Sequence, residues 1–429
     1  MEARTYNKLS MFLFWFGANA KPGNWYVGGL IGAFGFAGAM YIMVIGAGLS
    51  YLFNVAVGLI GFTTGIATFA LTRTIFGING SRIFSVMNAL TFLGWAFING
   101  ITAAIALNVI FEATLGFSNM YVCGFIMAVV QGIAVIFGRE AIRKLGVIGS
   151  VVLIVASIVI CVMVASQLNM EQLMAPMSDK SKAMTGTMLS MIMGSSLGWV
   201  PAAADFGRYA KDKATAGWIS YASLLVTSIF FCMTGAIGFI ATGSYDPANM
   251  LLGMGLGWPF LIVIMLLTVT TNVVNLYTGA MSLQNAFREW LNPRKAILIM
   301  AVVQIPFTTC YQLLDYSTSV FNFMSIVFGP VFTILIVDYY VIRKRVIDIP
   351  QMSVKGGIYW YYKGFNLIYI AIDIIGIILY FLLGKISFLA STVGAMIPMM
   401  IIVGILTYIC GKYQLKSSKI ILRGKEGNN

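Results

Sequence analysis

Apolar runs of about twenty residues recur along the whole chain, and an α-helix needs about that length to cross the hydrocarbon of a bilayer. They fall near residues 10–33, 38–70, 85–111, 119–138, 146–167, 185–207, 217–242, 255–287, 295–311, 318–341, 366–384 and 388–411. The pattern predicts an all-α integral membrane protein with twelve transmembrane helices. An outer-membrane barrel would instead show ten-residue stretches of alternating polarity, and the sequence has none. Of the 429 residues, 59% are apolar and 10% charged. A soluble domain is about half apolar and a quarter charged, so a large water-soluble enzyme, a nucleic-acid-binding domain and a disordered chain are all excluded.

The basic residues support the count. With both termini on one side of the membrane, that side receives Arg4 and Lys8, Arg73 and Arg82, then Arg139, Arg143 and Lys144. It also receives Arg208, Lys211 and Lys213, Arg288, Arg294 and Lys295, and the loop set Arg343, Lys344, Arg345, Lys355 and Lys363. The tail adds Lys412, Lys416, Lys419, Arg423 and Lys425, so 23 of the 27 basic residues share one face. Lys180, Lys182 and Lys385 lie opposite, and Lys21 sits inside a span. Such asymmetry follows the positive-inside rule, so both ends are expected in the cytoplasm and the chain in the cytoplasmic membrane. The net charge of +13 then describes orientation rather than a nucleic-acid partner. The tail 412–429 fixes topology or touches anionic lipid headgroups. The first residues imitate a signal peptide, with Ala18-Asn19-Ala20 as a cleavage-like stretch, but the apolar run continues through Trp25 to Leu30 as one span.

No histidine is present, which removes histidine metal sites and any Ser-His or Cys-His pair. Cys123, Cys161, Cys232, Cys310 and Cys410 lie in apolar runs without CxxC spacing and read as buried hydrophobes.

Two spans are poor continuous helices. The first contains Gly17-Ala18-Asn19-Ala20-Lys21-Pro22-Gly23-Asn24-Trp25, and the sixth Gly194-Ser195-Ser196-Leu197-Gly198-Trp199-Val200-Pro201. Glycine with proline marks only a kink in many membrane helices. First and sixth, however, are the opening helices of two five-helix repeats, and transporters place substrate sites at such paired breaks. Pro22, Ser195, Ser196 and Trp199 are therefore candidate substrate contacts. In the eighth span Thr268, Thr271, Asn272, Asn275 and Ser282 recur at helical spacing and form one inward polar stripe. In the third, Trp95 and Asn99 share a face.

Lys21 lies about eleven residues into its span, near mid-membrane at ~1.5 Å per residue. An uncompensated lysine there costs at least ~2.5–3.5 kcal/mol. The alternatives are snorkelling, contact with unwound carbonyls, a partner carboxylate, or a neutral amine. Asp373 is the other deep charge and suggests a structural or lipid-interface role. Glu112, Asp205, Asp315 and Asp338 fall near helix ends, where solvation or loop pairing is expected. The aromatics of loop 342–365 (Tyr359, Trp360, Tyr361, Tyr362) are expected to form an interfacial belt.

Six short motifs carry a family resemblance: Trp15-Phe-Gly-Ala-Asn19, Arg73-Thr-Ile-Phe-Gly-Ile-Asn-Gly-Ser81, Gly94-Trp95, Ala204-Asp-Phe-Gly-Arg-Tyr209, Thr270-Thr271-Asn272, and Asp338-Tyr339-Tyr340 followed by Arg343-Lys344-Arg345. In this order on twelve spans they resemble the nucleobase–cation symporter-1 family, which includes cytosine permeases and a hydantoin transporter. The resemblance implies a leucine-transporter fold: a five-helix repeat over 1–167, its inverted partner over 168–345, and two peripheral helices with the basic tail over 346–429. It implies alternating access coupled to Na+ or H+, with no other cofactor, and a small uncharged heteroaromatic cargo such as cytosine, a purine, or an allantoin- or hydantoin-like compound. Trp95 then matches the aromatic on which the ring stacks and Asn99 the polar residue one turn on. Ser195 and Ser196 line the sixth-span break, and Asn272 and Asn275 are candidates for the ring amides.

In sodium-coupled relatives an oxygen cage is built from the first break and the eighth span. The matching positions here are Ala18 and Lys21 with Leu267, Thr270 and Thr271. A fixed ammonium about 4 Å away would repel Na+ by ~4 kcal/mol at an effective dielectric of ~20. The expectation is that Lys21 replaces the sodium ion, as a tether or as the group that exchanges a proton. A carrier of the same fold for a vitamin precursor, nucleoside or amino acid is the alternative, with Lys21 holding the carboxylate in the last case. An intramembrane enzyme would need an acid, base or metal cluster, which is not seen, and a channel would need a repeated pore ring. The expected partners are a small molecule and membrane lipid, and monomer and homo-oligomer are both compatible with the sequence.

Overall fold

In a computed structural model, residues 4–137, 151, 154–163, 170–255, 257–287 and 289–417 are described. Arg139, Arg143, Lys144, Arg288, Lys419, Arg423, Lys425 and both flanks of the fifth predicted span lie outside these residues. The fold is almost wholly helical. The first predicted span is split into α1 (Lys8–Asn19) and α2 (Pro22–Gly32), followed by α3 (Gly35–Thr64), α4 (Thr68–Leu115), α5 (Met120–Phe137) and α6 (Ile154–Met163). The short α7 (Met170–Leu173) leads to the sixth predicted span, again split, into α8 (Asp179–Leu197) and α9 (Val200–Gly207). Then come α10 (Ser220–Thr242), the short α11 (Pro247–Gly253), α12 (Trp258–Ala286), α13 (Pro293–Thr309) and α14 (Ser317–Val337). The chain closes with α15 (Leu367–Gly384), the short α16 (Ser387–Ser391) and α17 (Met396–Ser417).

Among the described residues seven helices are long and apolar enough to cross a membrane by themselves. Of the other predicted spans, two are split by breaks, and α5, α6 and α13 are shorter over the described residues. The protein is thus a multi-pass membrane protein. The broken helices lie at the centre: α2 packs against α10, α8 and α9 against α3, α4 against α12, and α5 against α13. With little hydrophobic force between helices in lipid, small residues set these distances. On the α2–α10 seam a Cβ on Gly28 would sit 1.9 Å from the Cys232 carbonyl oxygen, and one on Gly235 would sit 2.0 Å from that of Trp25.

The third predicted span, 85–111, proves far longer. Helix α4 runs 48 residues and breaks at Gly77, whose φ of 83° is open to glycine at little cost. That break leaves the carbonyls of Thr74, Ile75 and Phe76 without helical partners, and the loop after α14 supplies them. Tyr361 donates to Thr74 O at 2.6 Å and Arg343 Nη2 to the same oxygen at 3.2 Å. Asn366 donates its side-chain amide to Ile75 O at 2.7 Å and its backbone amide to Phe76 O at 2.9 Å. Asp338, expected in a solvated or loop-pairing role, is 1% exposed; it accepts from Arg343 Nε at 2.5 Å and Tyr369 Oη at 2.7 Å. The expected aromatic belt is likewise corrected in part. Tyr362 is exposed, but Tyr359 is buried and Tyr361 turns inward, because they close around the Arg343 guanidinium. Asp373 is buried rather than at the lipid interface, since α15 presents that face to α14 and α17.

Asp246 caps α11, accepting from the amides of Ala248 and Asn249 at 3.0 Å each, while its other oxygen is buried without a partner. Burial pushes its carboxyl up to about 6, against the opposing pull of the two amides. A carboxyl raised on folding lowers stability once ionised, so the cost is full above pH 6 and vanishes below about pH 4, where folded and unfolded forms are both protonated. Asp246→Asn, which retains the cap, is expected to raise Tm at about pH 7.5 and leave it unchanged at about pH 4. A lower Tm at the higher pH would show instead that the ionised carboxylate stabilises the fold.

Candidate functional site

The two breaks face each other. Helix α1 ends at Asn19, and Ala20 and Lys21 run extended before Pro22, which has no N–H and a φ suited to a helix start, begins α2. Helix α8 ends at Leu197, and Gly198-Trp199 lead into α9, again with a proline in its first turn.

Asn19 joins the breaks. Its amide donates to Ser228 Oγ at 2.8 Å and Leu224 O at 3.2 Å, and its carbonyl oxygen accepts from Trp199 Nε1 at 3.0 Å. Asn24 donates to the Asn19 backbone carbonyl at 2.6 Å, satisfying a group that the broken helix leaves open. Tyr51 and Ser228 hydroxyls meet at 2.6 Å. One hydrogen-bonded chain thereby fixes both unwound segments to α3 and α10.

Around this chain lies a cavity of about 280 Å³, counting its open mouth, with Lys21, Trp95, Ser195, Ser196, Trp199 and Cys232 in its wall. A second cavity of about 220 Å³ adds Phe92, Gly198 and Asn275, and shares Lys21, Trp95, Ser195 and Trp199 with the first. The Lys21 side chain is in the wall of both. Its ammonium is 3.6 Å from the centroid of the Trp95 ring and 5.1 Å from that of Trp199, within the range of cation–π attraction. Lys21 is 4% exposed and no carboxylate lines either cavity. Trp199 in turn meets Trp15 edge to face at 5.8 Å.

The structure brings Lys21, Trp95, Ser195, Ser196, Trp199 and Asn275 together at this point. Pro22 is buried and starts α2 but lines neither cavity. Asn99 is fully buried with neither amide atom partnered, and its oxygen would lie 2.7 Å from a Cβ on Gly23. Asn272 is committed elsewhere: its amide donates to Ala96 O at 2.6 Å and Gln131 Oε1 at 2.7 Å, and its oxygen accepts from Asn275 at 3.3 Å. Those bonds tie α12 to α4 and α5. Ala18, Leu267, Thr270 and Thr271 line neither cavity, and the Thr270 hydroxyl donates to Leu267 O at 2.8 Å. Lys21 extends toward the indoles rather than toward this group. Residues absent from the sequence-based site are Asn19, Asn24, Tyr51, Ser228 and Cys232. The paired asparagines around the first break were a visible signal, whereas a lone tyrosine and serine in apolar spans were not.

The family model described as permease for cytosine/purines, uracil, thiamine and allantoin matches residues 1–420. The hydantoin permease of Microbacterium maritypicum is 25% identical over 389 residues, covering 83% of this chain and 77% of that protein. Among solved structures, the inward-facing conformation of Mhp1 superposes with a TM-score of 0.84 at 20% identity, covering 97% of this chain and 92% of that one. Mhp1, a nucleobase-cation-symport-1 family transporter, in a closed conformation with bromovinylhydantoin bound, gives 0.81 at 19% identity, covering 99% and 96%.

Proposed function

The chain belongs to the nucleobase–cation symporter-1 family of permeases, and from that premise we propose that it is a secondary active transporter importing a small flat heteroaromatic by alternating access. The observation that carries this reading is the pair of indole faces, Trp95 and Trp199, on one cavity between two broken helices. A flat ring needs such a stacking face plus directional polar groups, and Asn275, Ser195 and Ser196 supply the latter. Asn99 lies one turn from Trp95 with its amide free for the same use.

Twelve spans arranged as 1–167, the inverted 168–345, and a peripheral 346–429 complete the proposal, with both termini in the cytoplasm. Supporting it, the first broken span packs on α10 while the second packs on α3, as two repeats related by a two-fold axis require. Asn19 hydrogen bonds to Ser228 and Trp199 cross from the first repeat to the second at this cavity, so movement of one repeat against the other would open or close it.

The coupling ion in this reading is a proton, exchanged at Lys21 from its position against the two indoles rather than from the positions that match the sodium cage. In reconstituted vesicles, cytosine, uracil, allantoin and hydroxymethylpyrimidine would be offered under an inward proton gradient, with and without Na+. Saturable uptake of at least one compound, driven by the proton gradient in the absence of Na+, is expected. Strict Na+ dependence would remove Lys21 from the coupling role, and linear, non-saturating flux would remove alternating access itself.

A further inference from the structure

We propose that the site selects a flat ring bearing a negative charge, a heterocycle with a ring carboxylate or one whose ring itself ionises, and that Lys21 is its counter-charge. The proposal rests on the transporter reading and narrows its cargo from the uncharged heteroaromatic expected from sequence.

Charge accounting around Lys21 is the basis. Its ammonium is nearly sealed from solvent, no acidic side chain lines either cavity, and the ion pairs among the described residues do not include it. A buried charge without an opposite partner is costly, and the two indole faces offset only part of that cost. A ligand that stacks on Trp95 must take the face that the ammonium now occupies at 3.6 Å. A neutral ring would therefore displace the ammonium and leave it without compensation. An anionic ring displaces it too, but the ammonium swings to the ring edge and gains a charge-assisted bond. Binding is thus biased toward the anion by the protein's own unpaired charge.

Two further features favour a negative ligand. Lys21 is the N-cap of α2, and Trp199 is the N-cap of α9, so the positive ends of both half-helices flank the cavity. No carboxylate stands in the wall to repel an anion. Lys21 is then a specificity-determining residue whose position in the chain, one residue before a helix-starting proline, puts it at the ring-binding face.

The test uses three pyrimidines of one ring size: uracil, which is neutral at pH 7, orotate, which carries a carboxylate, and barbiturate, whose ring is itself ionised. Affinities for the purified full-length protein would be measured by ligand-dependent thermal stabilisation and checked by calorimetry. At least one anion is expected to bind about 10- to 100-fold more tightly than uracil, since a close charge pair at reduced dielectric is worth that much or more. Orotate and barbiturate separate the two sources of charge. Lys21→Met is expected to lose the preference, with uracil gaining relative to the anions, and Lys21→Arg to keep it in part. Uracil binding as tightly as both anions, or a preference unchanged in Lys21→Met, overturns the proposal while leaving a ring-binding transporter in place. If none of the three binds and vesicles accumulate no heterocycle of the wider panel, the transporter reading fails and the proposal with it.

Discussion

Trp95→Ala is expected to lower the affinity for a flat heterocycle by about two orders of magnitude, through the lost stacking and burial of one ring face. The indole is 5% exposed, presents one side to the cavity, and meets the Phe321 ring at 5.1 Å, so it is held in place before any ligand arrives. Truncation also strips Lys21 of its nearer cation–π partner, leaving the Trp199 ring at 5.1 Å as the remaining one. Because Trp95 belongs to the core, loss of fold must be separated from loss of binding. Trp95→Phe retains a π-face and most of the packing, and is expected to bind within about tenfold of the native protein. Measured uptake and ligand-induced stabilisation should fall together in the alanine variant, with a monodisperse protein in detergent. Undiminished binding in Trp95→Ala would show that the ring stacks elsewhere.

The second large effect is expected at Gly235. A single methyl there is placed 2.0 Å from the Trp25 carbonyl oxygen, a backbone atom that no rotamer change can remove. Either α2 or α10 must shift, and the seam is as tight at Gly28 on the facing helix, where an added Cβ would sit 1.9 Å from the Cys232 carbonyl oxygen. Gly235→Ala is therefore expected to cost about 3 kcal/mol or more, from overpacking of a backbone-to-backbone contact, and Gly235→Leu to prevent recovery of folded protein. Gly48 is the matched control: its Cβ would meet only the Tyr221 hydroxyl at 3.5 Å, so Gly48→Ala should leave Tm nearly unchanged. Equal Tm values for Gly48→Ala and Gly235→Ala would refute the seam as a determinant of the fold. Since α2 begins one residue after Lys21, the same seam sets the position of the ammonium.

Much of this was legible from residues alone. The run Lys21-Pro22-Gly23 and the pair Trp199-Pro201 announced breaks, because proline lacks the N–H that a continuing helix would use. Trp95 and Asn99 were legible as one face because four residues bring a helix round a little over a full turn. Other readings needed partners distant in sequence. Asn272 looked as available as Asn275, but its amide is consumed by Ala96 and Gln131 on two other helices. Asp338 looked like an end-of-helix carboxylate until Tyr369, 31 residues later, closed over it. The 48-residue length of α4 was hidden because Gly77 reads locally as a helix end, whereas the loop around Asn366 holds the two halves together.

By itself, then, the sequence determined that this is a membrane protein and that two helices break at matched places. These follow from hydropathy, charge and backbone chemistry, which are properties of short stretches. Only the tertiary structure decided where the Lys21 ammonium goes. The backbone break sets the root of that side chain, but a lysine tip travels several ångströms on a flexible stem, and its resting place is chosen by what other helices bring within reach. Here they bring Trp95 from α4 and Trp199 from the second break, and the charge comes to rest on the faces of two rings.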